Sequence, residues 1–116
     1  MSGKSFRESF DYRRRFAEAE RIKKKYPARV PVIVETKPDV PPLSKHKYLV
    51  PRDLTVGEFI YVLRNRIKLR PEQALYLFFN SSVIAPAAAM LGVIYENHKD
   101  SDQFLYANLC MENTFG

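Results

Sequence analysis

The sequence predicts an α+β fold in which a mixed sheet grasps one central helix, with two further helices ahead of the first strand. Three observations point there. Residues 28–35 and 47–51 alternate with the two-residue period of strands, a capping signature at Thr55 opens an amphipathic helix, and the apolar runs 74–79 and 104–110 have the length of buried strands. At 116 residues and 46% hydrophobic, the chain is long enough to bury a real core within one domain.

Each element follows from local pattern. Phe6 and Phe10, then Tyr12, Phe16, Ala19, Ile22 and Tyr26, recur at steps of three and four and give two amphipathic helices, the second ending near Pro27. In 28–35, Val30, Val32 and Val34 face one way, and Arg29, Pro31, Ile33 and Glu35 the other. Pro38, Pro41 and Pro42 make 36–44 a loop. In 47–51, Tyr48 and Val50 share one face and Lys47, Leu49 and Pro51 the other. Its charged start and its proline suggest a sheet edge. Thr55-Val56-Gly57-Glu58 reads as a capping box with Leu54 and Phe59 as its staple, and Val56, Phe59, Ile60, Leu63 and Ile67 supply the buried stripe. The run 74–79 reads as a central strand turned by Asn80-Ser81-Ser82. Pro86 is expected to open another helix bearing Ala87, Leu91, Ile94, Tyr95 and His98, and 104–110 closes the fold as a strand.

The net charge of +6 is unevenly placed. Residues 1–30 hold ten basic and four acidic side chains, whereas 31–116 hold nine of each, so an acidic partner would be met mainly at the N-terminal segment. A solvated helix face that aids solubility explains the same charges. No apolar run reaches the ~20 residues that cross a bilayer, which suggests a cytoplasmic chain. Cys110 has no partner cysteine and reads as a buried strand residue, and His46 and His98 lack companions at metal-ligand spacing. No residue pattern builds a catalytic centre, a cofactor or metal site, or a specific nucleic-acid interface.

The chain ends Glu112-Asn113-Thr114-Phe115-Gly116, a polar tail after an apolar strand. A terminal glycine carboxylate has no side chain to obstruct its entry into a narrow active site, so Gly116 reads as a conjugation handle. The expected organisation is one domain: a helical extension (1–26), a core (27–111) and a flexible tail (112–116).

With these elements on the page, the chain resembles the autophagy ubiquitin-like modifiers, the family of GABARAP and the microtubule-associated light chains. The resemblance rests on Arg21-Ile22, Arg29-Val30-Pro31-Val32-Ile33, Tyr48-Leu49-Val50-Pro51, Leu54-Thr55-Val56-Gly57, Phe104-Leu105-Tyr106 and Glu112-Asn113-Thr114-Phe115-Gly116. It implies a ubiquitin-like β-grasp with two additional N-terminal helices and no enzymatic activity. It also implies that Gly116 is adenylated by an activating enzyme, carried as a thioester by conjugating enzymes, and joined to phosphatidylethanolamine on autophagosome or other vesicle membranes. Many relatives are made with extra residues that a cysteine protease removes; whether Gly116 is a natural or a trimmed end stays open.

The resemblance further implies two hydrophobic pockets for peptides of cargo receptors. One is expected at Glu18, Ile22, Pro31, Ile33, Lys47, Leu49 and Phe104, the other at Tyr48, Val50, Pro51, Leu54, Phe59 and Val62. An extended peptide would add to the edge strand, with an aromatic residue and an aliphatic one three positions later filling the pockets. Arg29, Lys45, Lys47 and Arg66 would favour acidic flanks. The alternative reading is a noncovalent adaptor whose basic N-terminal helices bind tubulin tails or other acidic surfaces. One departure stands out: the family commonly has Asp-Gly where this chain has Asp102-Gln103, so a different turn is expected there.

Overall fold

The computed structural model describes residues 4–112; Gly116 lies outside the described residues. Elements follow the predicted order: α1 (Phe6–Ser9), α2 (Tyr12–Lys25), β1 (Arg29–Thr36), β2 (Lys47–Pro51), α3 (Val56–Arg64), β3 (Ala74–Phe79), α4 (Leu91–His98) and β4 (Leu105–Glu112). Caps fix the helix starts. The Ser5 hydroxyl and Glu8 carboxylate form a capping box at α1, Asp11 accepts from the Arg14 amide at 2.9 Å at α2, and Thr55 with Glu58 caps α3 as expected. Lys23, Lys24 and Lys25 lie in the last turn of α2, where they oppose the helix dipole.

The strands form one mixed sheet in the order β2-β1-β4-β3. β1 pairs antiparallel with β2 and parallel with β4, and β4 pairs antiparallel with β3. β2 is therefore an edge strand, as its proline and charge suggest. β3 is the opposite edge and not a central strand. Its apolar run has another cause: Leu77 and Phe79 enter the main core, while Tyr76 and Phe78 on the other face meet edge to face at 5.2 Å.

The expected helix start at Pro86 is also corrected, since α4 begins five residues later at Leu91. The intervening chain serves α3 instead. Ala89 and Ala87 carbonyls accept from the Val56 and Gly57 amides at 2.9 Å each, satisfying donors that a helix N-terminus leaves orphaned. The approach is close enough that a Cβ on Gly57 would stand 3.3 Å from Ala87. At the 80–82 turn Asn80 and Ser81 take positive φ, as the turn reading requires.

Two apolar clusters result, one on each face of the sheet. Val30, Val32 and Val34 point with Tyr48, Val50, Leu77, Phe79 and Leu109 toward α3 and α4, which contribute Phe59, Leu63, Leu91 and Tyr95. On the other face Ile33, Phe104 and Tyr106 meet Ala19 and Ile22 of α2, with Phe6 and Leu49 at the margin. The 37–46 loop is not merely surface: Val40 and Leu43 are buried in the main core.

Candidate functional site

The free edge of β2 is set by its register. The Arg52 amide donates to the Ala28 carbonyl at 3.1 Å and the Val34 amide to the His46 carbonyl at 2.8 Å, which fixes the phase of the β1–β2 ladder. By the period of two, Tyr48 and Val50 turn their backbone groups toward β1, and Lys47 and Leu49 turn theirs outward. The Leu49 carbonyl takes one long contact, 3.2 Å from Arg29 Nη1. Pro31 fits in β1 because the parallel ladder with β4 starts only at Val32.

The residues expected at the first pocket come together on the α2 side of this edge. Ile22, Ile33 and Phe104 are buried, Pro31 is buried opposite Leu49, and Leu49 itself is half-buried. Glu18 on α2 crosses the rim to Lys47 at 2.6 Å and is held from its own helix by Arg21 at 3.0 Å. Hydrogen bonds from Arg21 first, then Lys47, lower the Glu18 carboxyl to about 2, so it stays ionised.

On the α3 side the expected second pocket is mostly floor. Val50 and Phe59 are almost wholly buried, and the Tyr48 ring stands edge-on to Phe59 at 5.6 Å. Pro51 and Leu54 are half-buried and Val62 is exposed, so these three carry the apolar surface to solvent. The Tyr48 hydroxyl is buried without a partner among the described residues, and burial raises its pKa. Lys45 Nζ and Arg66 Cζ lie 5.2 and 5.6 Å from the Tyr48 ring, a cationic rim on this side.

Sequence reasoning missed two features that position the site. Phe6 of α1 meets Phe104 edge-on at 5.0 Å and so extends the first pocket's wall. Loop 100–103 is gripped rung by rung from the N-terminal helices: Arg7 to Asp100 (2.8 Å), Tyr12 hydroxyl to the Ser101 carbonyl (2.9 Å), Arg15 Nε to Asp102 (2.8 Å) and Lys23 to Gln103 (3.1 Å). Asp102 is fully buried and also accepts from the Phe104 amide and the Tyr106 hydroxyl, at 2.9 and 2.5 Å. Burial first, then this bond, pushes the Tyr106 hydroxyl well above its usual range, while Asp102 raises Arg15. The departure at Asp102-Gln103 does not divert the backbone: Gln103 adopts φ 76°, the left-handed region that favours glycine.

Arg7, Arg15, Arg21 and Lys23 are thus in internal ion pairs, leaving part of the N-terminal charge for solvent. Among the described residues no group of three His, Cys, Asp or Glu side chains could hold a metal ion, and no helix is long and apolar enough to cross a membrane. Cys110 is buried on β4, and burial raises its thiol pKa.

The family model described as "Autophagy protein Atg8 ubiquitin like" matches residues 14–116. Autophagy-related protein 8d of Arabidopsis thaliana is 52% identical over 100% of this chain and 98% of the relative, and Autophagy-related protein 8 of Mycosarcoma maydis is 52% identical over 97% and 96%. The crystal structure of Trypanosoma brucei ATG8 superposes with a TM-score of 0.87 at 37% identity, covering 99% of this chain and 100% of that one. With a family match across most of its length and relatives at half identity end to end, the chain belongs to the Atg8 family of autophagy ubiquitin-like proteins.

Proposed function

We propose that the protein is a lipid-conjugated recruiter: Gly116 is joined as an amide to phosphatidylethanolamine, and the β2 edge captures extended peptides of cargo receptors. The single observation that carries the peptide reading is the geometry of the edge. Lys47 and Leu49 turn their backbone groups outward, with the Leu49 carbonyl held by Arg29, between two apolar patches that lie on opposite faces of the sheet. In an extended strand, residues three apart point to opposite faces. An aromatic residue on the Ile22, Ile33, Phe104 side therefore sets its third successor on the Pro51, Leu54, Val62 side. Aromatic-x-x-aliphatic is the pattern this edge fits.

The chain brings no catalytic group of its own to the conjugation; activating and conjugating enzymes perform it, and a cysteine protease trims or releases the product. Two acyl chains give stable anchoring where one gives marginal binding, which suits a chain whose described helices do not cross a bilayer. The domain then works in the cytoplasm when free and on autophagosomal membrane when lipidated. Incubation with the family's conjugation enzymes and phosphatidylethanolamine liposomes tests the handle. The full chain is expected to gain the mass of the lipid less one water and the chain lacking Gly116 to gain none; equal conversion of both would remove the role given to Gly116.

A further inference from the structure

We propose that Gly92, in the first turn of α4, is a positioning residue for the second pocket of the β2 edge, acting through the backbone of residues 52–54 and touching no peptide itself. The assignment rests on the edge-strand reading above, which gives that pocket to the aliphatic residue. It starts from the way α3 and α4 cap each other. Met90, at the N-cap of α4, makes no side-chain bond to the first turn, so the amides that open this helix need other acceptors. The Leu91 and Gly92 amides donate to the Leu54 and Arg52 carbonyls at 2.9 Å each, and the Val56 and Gly57 amides of α3 donate in return to Ala89 and Ala87. Thr55 and Met90 stand opposite one another in an antiparallel bridge at the middle of this exchange.

The segment held in this way is the pocket's rim. Half-buried Pro51 and Leu54 flank Arg52 and Asp53 and, with exposed Val62, carry the apolar surface of the α3 side to solvent. The turn is closed by the Leu54 amide on the Pro51 carbonyl at 3.1 Å and tied to the end of β1 by the Arg52 amide on the Ala28 carbonyl at 3.1 Å. Its remaining support is α4. How far Leu54 stands from Val62 therefore depends on how closely α4 lets Arg52 approach.

Gly92 permits that approach. It is buried and takes no left-handed φ, so conformational freedom does not explain a residue that helices disfavour. Closeness does: a Cβ at this position would stand 3.0 Å from both the Cβ and the carbonyl oxygen of Arg52. Neither atom can swing aside like the end of a flexible side chain, so an added methyl pushes the turn itself outward by a few tenths of an ångström and presses on the acceptor of the Gly92 amide. Gly57 offers the contrast. Its nearest neighbour is Ala87 at 3.3 Å, which has more room and belongs to neither pocket.

Three synthetic peptides test this: one with tryptophan and leucine three positions later, one with alanine for the leucine, and one with alanine for the tryptophan. Titration calorimetry with the full chain is expected to show preferences of about tenfold for each anchor over alanine. Gly92→Ala should cut the leucine preference about threefold or more and keep the tryptophan preference within about twofold, while Gly57→Ala keeps both. Partial unfolding lowers all three affinities by one factor and cancels from the ratios, so a merely structural role moves neither. Unchanged ratios in Gly92→Ala, an equal fall in both, or the same loss in Gly57→Ala overturns the assignment while the edge reading stands. A second measurement needs no substitution. With the leucine and alanine peptides at equal multiples of their Kd, protection against global unfolding is the same, and the Leu91 and Gly92 amides are expected to exchange about fivefold more slowly under the leucine peptide. Equal rates overturn the assignment as well. If the unsubstituted chain prefers neither anchor, the edge reading fails and this assignment with it.

Discussion

The two faces of the sheet are closed by different means. On one, α3 and α4 lay Phe59, Leu63, Leu91 and Tyr95 directly onto the valines of β1, and nonpolar contact makes most of the seal, with polar bonds such as Arg52 to Glu96 at 3.1 Å at its margin. On the other, a small cluster around Ile33 and Phe104 is covered by α2 and four-residue α1, which are fastened at loop 100–103 by ionic and hydrogen-bonded grips. The α3 and α4 face is filled except at the β2 margin, where Pro51, Leu54 and Val62 carry its apolar surface to solvent. Directional grips hold α1 and α2 at one end and leave the β2 margin and the space under α1 open. The first pocket of the candidate site lies where the polar attachment stops.

The largest expected effects test this contrast directly. Asp102→Ala leaves Arg15 charged and unpaired in a poorly solvated position and is expected to cost about 3–5 kcal/mol. Leu63→Ala in the other cluster is expected to cost a similar ~2–5 kcal/mol through a cavity. Urea unfolding measures both. Native-state hydrogen exchange separates them, because the first should raise exchange in α2 ahead of the sheet and the second should raise it everywhere. Identical exchange patterns would mean that the two faces are a single cooperative unit.

At the edge, Lys47→Ala with Leu49→Ala should weaken an aromatic-x-x-aliphatic peptide at least tenfold, about 1.4 kcal/mol, with little change in stability. Tyr48 is the wrong residue for this purpose, since truncating a ring packed on Phe59 damages the core itself. Unchanged affinity in the folded double variant would sink the edge assignment. Next in size, Gln103→Gly relieves a left-handed backbone and loses the Lys23 contact and a 3.3 Å bond to the Ser101 carbonyl, for a net gain of roughly 0.5–1 kcal/mol in thermal unfolding. A lower melting temperature would show that the Lys23 grip outweighs the strain.

The smallest expected effect is at the pocket rim. Glu18→Gln frees Lys47 for an acidic ligand and should raise affinity for acid-flanked peptides roughly twofold, most clearly at low salt. Because the Glu18 pKa is depressed to about 2 from its ordinary value of 4.5, its ion pairs are intact above the higher value. They dissolve only as pH falls toward the lower one. A carboxyl resonance that titrates near its ordinary value would refute the bridge.

Local pattern carried the elements well where the physics is local. The capping box of Thr55 and Glu58, the alternation of Val30, Val32 and Val34, and the edge character of β2 needed only near neighbours in sequence. Reading failed where a partner far along the chain decides. Pro86 and the three alanines after it resemble a helix start, yet Ala87 and Ala89 are taken up by α3, some thirty residues earlier. The run 74–79 is apolar on both faces, which suggests a strand with two neighbours; only the topology shows that it has one. Asp102 signals a turn in its own neighbourhood, while Arg15, which makes it a structural hub, lies 87 positions away. The site residues themselves came from family likeness. Their division between two faces of one edge became evident only from the register.

β4 carries a mechanical consequence. It is hydrogen-bonded to β1 on one side and to β3 on the other, and Glu112 is its last described residue. Bonds of a ladder lie across the strand, so a pull from the tail loads the rungs to β1 and β3 together in shear and does not open them one at a time. A tether at the C-terminus would therefore drag the domain against a moving membrane without unravelling it.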